Sequence, residues 1–341
     1  MKEKLFGKTL SELTELSLSH DLPAFTGRQL SKWLYQSDIS DFEEMTNLSK
    51  RARALFASNY DLGIQKPVSV QESTDGTKKY LFASMPGKYI EAAFIPEKDR
   101  STVCVSSQIG CKMGCLFCMT GKQGFQGNLA AGEILNQYRS LPEWRNLTNI
   151  VYMGMGEPLD NLSEVLKSLE VFTSDWGFGL SPRRITVSTI GMTPAMLEFL
   201  EKSNVHLAVS LHSPFDEDRR KLMPIQQVFP LKEVLGEIRS WDFGRQRRVS
   251  FEYILFKGFN DSTAHVNELA RILNGIRCRI NLIRFHPIPD TPLESPDEQT
   301  IANFKERLNA KGIITTIRAS RGQDIWAACG LLSTKEMQNK T

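Results

Sequence analysis

From Asn149 to Arg318, short apolar runs alternate with stretches of helical periodicity, and that alternation leaves few folds open to the chain. Asn149–Met153, Ile185–Ser188, His206–Ser210, Val249–Ile254, Arg279–Ile283 and Ile313–Arg318 have the length and side chains of strands. Helical patterns cover Ala131–Leu141, Leu162–Phe172, Pro194–Lys202, Leu231–Ser240, Ala264–Leu273 and Ile301–Lys311. Parallel neighbours need long return connections, so this repetition predicts an α/β fold with right-handed crossovers, either a barrel or a doubly wound sheet. In both, ligands gather at the carboxyl ends of the strands.

Ahead of this region the patterns change twice. Residues 1–65 read as a small helical domain: Leu10, Leu13, Leu16 and Leu18 lie near helical spacing, Leu30, Trp33 and Leu34 share a face, and Ser49–Phe56 is a further short helix. This domain fits either an accessory binding module or a packing cap. Residues 66–100 read as a β-hairpin extension, with turns at Asp75-Gly76 and Pro86-Gly87 between Val68–Glu72, Lys79–Ala83 and Tyr89–Ile95. A strand over Thr102–Ser106 then opens the main domain, residues 101–341.

That strand leads into Cys111, Cys115 and Cys118, with three residues and then two between successive thiols. So short a loop can turn three thiolates towards one iron–sulfur cubane and leave the fourth iron open to a ligand. The alternative is structural zinc, which closes its shell with four protein ligands; no fourth Cys or His stands nearby at a conventional spacing. The CxxxCxxC spacing resembles the signature of radical S-adenosylmethionine (SAM) enzymes.

Further motifs sit at strand ends. Gly154-Met-Gly-Glu-Pro158 follows an apolar strand; its glycines permit close backbone approach, and Glu157 can accept from an ammonium group. Ser188 ends the next strand and Ser210-Leu-His212 the one after, offering hydroxyl and imidazole groups. Each is equally a tight turn or a local cap when taken alone. Cys329, in Ala327-Ala-Cys-Gly330, suits a reactive loop thiol or a buried one; Cys104 and Cys278 read as core. Glu91 reads as an outward strand carboxylate.

Six cysteines in 341 residues are too few for a secreted disulfide scaffold, and the N-terminus shows no signal peptide, so a reducing, cytoplasmic setting is expected. No stretch reaches transmembrane length. The net charge of +3 says little, whereas Lys50, Arg51 and Arg53, Arg183 and Arg184, Arg219 to Lys221, and Arg245, Arg247 and Arg248 form local clusters. Such clusters suit either phosphate contacts or solvated helix ends.

Assembled, these residues resemble the RlmN/Cfr family of radical SAM RNA adenine methyltransferases. The resemblance rests on Cys111 to Phe125, Met153 to Pro158, Leu180-Ser-Pro-Arg-Arg184, Ser210-Leu-His212, Lys221-Leu-Met-Pro224, Ile280-Asn-Leu-Ile283 and Asp324 to Gly330. Gly27 to Trp33 and Asp41 to Lys50 are similar to that family's helical RNA-binding domain. It implies a partial (βα)6 barrel, a [4Fe–4S] cluster on Cys111, Cys115 and Cys118, and two SAM molecules per turnover. SAM would be bound by Gly156, Glu157, Ser188, Ser210, Leu211, His212 and His286; the last stands where the family usually has Asn.

By the same resemblance Cys329 takes a methyl group, a radical removes hydrogen from it, and the methylene radical adds to adenine. Cys104 then resolves the covalent adduct through a transient disulfide, and Glu91 is the proton acceptor. The implied substrate is C2 of an adenosine in 23S rRNA and of the one 3′ to the tRNA anticodon, with a low-potential, flavodoxin-like electron donor and a monomeric enzyme. The alternatives are a Cfr-type C8 methyltransferase and a non-catalytic iron–sulfur RNA-binding protein.

Overall fold

The structure is a computed structural model that describes residues 2–244 and 248–334. Arg245 and Arg247 of the last cationic cluster lie outside the described residues. One ten-stranded sheet organises the chain. Its strands are β1 (Ser69–Glu72), β2 (Lys78–Ala83), β3 (Tyr89–Glu97), β4 (Arg100–Cys104), β5 (Asn149–Tyr152), β6 (Ile185–Thr189), β7 (His206–Ser210), β8 (Val249–Leu255), β9 (Cys278–Arg284) and β10 (Thr315–Ile317).

From β4 to β10 all pairings are parallel, and the strands stand side by side in chain order. A doubly wound sheet would reverse direction part-way; here every crossover adds its strand on the same side. Right-handed crossovers then place all the helices on one face, and the sheet curls as a barrel. The edge strands β10 and β1 do not pair with each other, so the barrel is partial. The region 66–100 contributes the three strands expected around its two turns, paired antiparallel, and β3 pairs directly with β4.

At the N-terminus, α1 (Leu10–Ser19) starts at a capping box between Thr9 and Glu12, α2 spans Phe25–Gln36, and Ser49 caps α3 (Lys50–Asn59). Leu13, Leu30 and Leu34 are fully buried. Leu18 instead faces solvent, 54% exposed; five residues beyond Leu13, it has rotated about 140° off the packed face. The Tyr35 ring packs on Trp176 and Phe178 at 6.0 and 5.6 Å, so the helical segment shares one core with the barrel's outer helices. No described helix is long and apolar enough to cross a membrane.

Candidate active site

A cavity of about 570 Å³ occupies the barrel interior and the loops beyond the strand ends. Its wall includes Cys111, Cys115, Cys118, Gly156, Glu157, Ser188, Ser210, His212, His286, Cys104 and Cys329. Residues drawn from a span of more than two hundred positions thus meet in one place. Two expected members do not line it. Leu211 turns its side chain into the core while its carbonyl accepts from Arg219 Nε, and Glu91 lies elsewhere.

The three-cysteine loop is held from both sides. Leu116 N donates to Leu222 O at 2.9 Å, Cys118 N to Cys115 O at 3.2 Å, and Lys112 pairs with Asp160 at 2.8 Å. Gly110 enters the loop at φ +72°, and a Cβ there would lie 1.7 Å from Gly124 O. Gly110→Ala is therefore expected to spread the loop: the left-handed backbone alone costs an L-residue about 1–2 kcal/mol, and the clash is with backbone. Iron and sulfide content after reconstitution should fall by at least half, and full loading would refute this account.

Burial and mutual repulsion push Cys111 up to about 12, and they hold Cys115 well above the ordinary thiol range. Deprotonated thiols are costly here without cationic iron, and soft sulfur donors suit an iron–sulfur cluster. The donor set therefore fits that group. Among the described residues no three Cys, His, Asp or Glu side chains converge on a single-ion site. Thiols bound to three different irons need no such convergence.

Glu157 is 3% exposed. Its Oε1 accepts from Leu159 N at 3.1 Å and its Oε2 from Ile190 N at 3.0 Å. Burial still pushes its carboxyl up to about 7, so an ammonium ligand would find an acceptor short of positive charge. Gly156 has φ +98°, and its missing Cβ leaves room for the Gln108 side chain, whose Oε1 accepts from Glu157 N at 2.9 Å.

His212 also adopts a left-handed backbone, φ +54°, held by Asn260 Nδ2 donating to its carbonyl at 2.7 Å. Ile254 N donates to His212 Nδ1 at 3.0 Å. Burial first, then Arg219, keeps the imidazole neutral, with its pKa held down to about 3. The ring proton therefore resides on Nε2, which makes His212 a neutral donor. His286 is half-buried, its pKa lowered by burial and by Arg284.

The loop carrying Cys329 is stapled to two distant parts of the chain. Met119 N donates to Gly330 O at 2.8 Å and Thr120 Oγ1 to Leu332 O at 2.6 Å, tying it to the short helix Met119–Gln123 that follows the cysteine loop. On the other side Ser73 Oγ donates to Asp324 Oδ1 at 2.6 Å and Gly322 N to Asp75 Oδ2 at 2.9 Å. Cys104 packs against Ala327 of that loop. Burial pushes both thiols up, Cys104 to about 12, and the Arg318 guanidinium opposes the rise at each. All six cysteines are free, so no Cys104–Cys329 disulfide is formed here.

A family model for the Radical SAM superfamily matches residues 105–270, and one for the ribosomal RNA large subunit methyltransferase N-terminal domain matches residues 3–60. The probable dual-specificity RNA methyltransferase RlmN of Porphyromonas gingivalis is 56% identical over 335 residues, covering 98% of each chain. The chain belongs to the RlmN family. The Parabacteroides distasonis protein of the same description is 54% identical, covering 98% of this chain and 97% of its own. A radical SAM methyltransferase from Sphaerobacter thermophilus superposes with a TM-score of 0.90 at 40% identity, over 97% of this chain and 99% of that one. As an RlmN-family member the chain is a radical SAM RNA methyltransferase that uses a [4Fe–4S] cluster and SAM.

Several residues of this RlmN-family chain lie where sequence reasoning does not put them. Glu91 is not an outward carboxylate: it is 3% exposed, lies 3.2 Å from Lys79 Nζ, and accepts from Ser333 N at 2.9 Å. Arg219 is not part of a surface cluster; it is fully buried, while Arg220 and Lys221 remain exposed. Cys278, expected in the core, is half-buried. Glu252 and Arg318 line the cavity unanticipated. A lone charge in the apolar run Val249–Leu255 was the available signal for Glu252.

Proposed function

We propose that this chain methylates adenine C2 in 23S rRNA and in the tRNA position 3′ to the anticodon, through methylated Cys329 and a covalent RNA adduct. The observation that carries this reading is the presence of Cys104 and Cys329 in the wall of the cavity that also holds the three-cysteine loop. The words "dual-specificity" in the relatives' names support two RNA substrates.

Cys111, Cys115 and Cys118 would hold the cluster, and Gly156, Glu157, Ser188, Ser210, His212 and His286 would hold SAM. Together the bound groups supply a 5′-deoxyadenosyl radical. Glu157 takes the amino group, and His212 Nε2–H donates to a SAM acceptor. Cys329, as thiolate, would accept a methyl group from one SAM, and the radical would come from a second, two for each turnover. Once the methyl carbon has lost hydrogen and bonded to adenine, the odd-electron adduct would give up one electron, which the cluster held by Cys111, Cys115 and Cys118 would accept, and Glu91 would receive the C2 proton. Cys104 thiolate then attacks Cys329 Sγ, the S–C bond breaks with protonation of the released carbon, and a disulfide remains to be reduced.

Glu91 accepts from Ser333 N, so its proton-acceptor role requires that hydrogen bond to be released. A low-potential, flavodoxin-like donor would deliver electrons to a monomeric, cytoplasmic enzyme. Exposed Lys50, Arg51, Arg183 and Arg184 are available for phosphate contacts.

The test is anaerobic incubation of reconstituted protein with SAM, a reductant and protein-free 23S rRNA, followed by nucleoside mass spectrometry. 2-Methyladenosine is expected; 8-methyladenosine alone would establish the Cfr-type reaction instead, and absence of SAM cleavage the non-catalytic alternative. A pH dependence follows from the buried thiol. Because the Cys329 pKa is raised, its thiolate fraction at neutral pH is small and grows about tenfold per pH unit below that pKa. Methylation of Cys329 without RNA, read by intact mass, should therefore accelerate steadily from pH 7 to 9. A flat profile would contradict attack by a thiolate formed in this environment.

A further inference from the structure

Strand β8 directs Ser250, Glu252 and Ile254 into the cavity. Glu252 is 4% exposed, and its two carboxylate oxygens are treated differently. Oε1 accepts from Asn281 Nδ2 at 2.8 Å, and Asn281 Oδ1 in turn accepts from Thr316 Oγ1 at 2.7 Å. This chain across β8, β9 and β10 fixes the side chain from one flank. Oε2 has no hydrogen-bond partner among the described residues. A buried carboxylate oxygen without a donor is costly; the charges of Arg318 and Arg279 in the same wall offset part of that cost, and a ligand that brings a donor would supply the missing hydrogen bond.

The chemistry of the missing donor can be narrowed. The SAM ammonium has Glu157 as its acceptor under the reading above. An adenine reacting at C2 must bring that carbon to Cys329, and its ring nitrogens N1 and N3, which flank C2, are acceptors that a carboxylate repels. Its exocyclic amine is the one base-edge group that can donate. Cys104 and Cys329 share the cavity with Glu252, so a base held for reaction there lies within the same cavity.

We propose that Glu252 Oε2 accepts a hydrogen bond from the exocyclic amine of the RNA adenine being methylated, which makes Glu252 a specificity-determining residue. This rests on the adenine methyltransferase reading of the site. Glu252→Gln gives the sharpest test. Asn281 Nδ2 still requires an acceptor, so the new carbonyl turns towards it and the new NH2 faces the cavity. The site then offers a donor where adenine also has one, and it matches the 6-oxo group of inosine.

The experiment uses reconstituted holoenzyme and two RNA fragments that differ only in adenosine or inosine at the target position. Glu252→Gln should lower the adenosine-to-inosine preference by roughly 10- to 100-fold, the range of a hydrogen bond to a charged group. SAM affinity measured without RNA should be unchanged. An unaltered preference overturns the proposal, and so does weakened SAM binding, which would mean that the carboxylate reads the cofactor's adenine. If the variant does not load its cluster, wild-type enzyme on a fragment carrying purine riboside serves: removal of the amine must slow turnover by the same factor, and equal turnover overturns the proposal. Wild-type protein inactive on the adenosine fragment would instead bring down the underlying reading.

Discussion

Cys329→Ala is expected to reduce RNA methylation to background while the protein keeps its fold, its cluster and its SAM-binding residues. The thiol lies on a loop whose hydrogen bonds to Met119, Thr120, Ser73 and Asp75 all come from neighbouring residues and none from the sulfur. A loss of activity can thus be assigned to the missing nucleophile rather than to a displaced loop. Cys104→Ala should fail differently. Cys104 packs against Ala327 and shares Arg318 with Cys329, which suits the resolving role. Its removal should leave carbon–carbon bond formation intact and let an enzyme–RNA adduct accumulate, visible as a nuclease-sensitive mass increase on denaturing gels. Methylation by the Cys329 variant would defeat the methyl-carrier assignment. Normal turnover by the Cys104 variant would remove the resolving thiol from the scheme while leaving Cys329 in place.

Arg219→Met is expected to produce the largest loss of stability of any substitution near the site. The guanidinium donates to Leu211 O at 3.2 Å, to Ile190 O at 2.8 Å, to Ser210 O at 3.1 Å and to the side-chain oxygen of Gln226. These acceptors lie at the end of β7 and in the segments that follow β6 and β7, so one fully buried side chain joins Ser210, the segment bearing His212 and the Ile190 amide that holds Glu157. Methionine fills much of the volume but strands three carbonyls, each left without a donor at about 1–3 kcal/mol. A net loss of about 3–5 kcal/mol should lower the melting temperature by roughly 10 °C. Arg219→Lys should recover only part, since a single ammonium cannot span the same acceptors. Calorimetry beside SAM titration tests this, and a methionine variant that melts with the wild type would show that the carbonyls find other donors.

The alternation of strands and helices was legible because a parallel sheet cannot be built without it. The helix Leu231–Ser240 and the strand His206–Ser210 form over the expected residues, and other boundaries shift by at most three. The choice between a barrel and a doubly wound sheet was not legible, since it depends on which edge each strand joins. The cysteine loop was readable for a chemical reason: three thiols at that spacing have few uses. Arg219 was unreadable because Arg219, Arg220 and Lys221 look alike in a list, and only the crossing of three carbonyls separates the first from its neighbours. Glu91 misled for a related reason. Its strand pairs on both sides, and residues about 240 positions later fold over it, which places a carboxylate indoors where local pattern suggests solvent.

The stapling of the Cys329 loop also fixes a timetable. Thr120 and its partner Leu332 are 212 positions apart in the chain. At translation rates of about 5–20 residues per second, the cysteine loop emerges roughly 10–40 s before the loop that covers it. During that interval the three thiols are made and the last wall of the cavity is not. The order of the chain thus sets the synthesis of the three-cysteine loop before that of the loop that walls the cavity beside it.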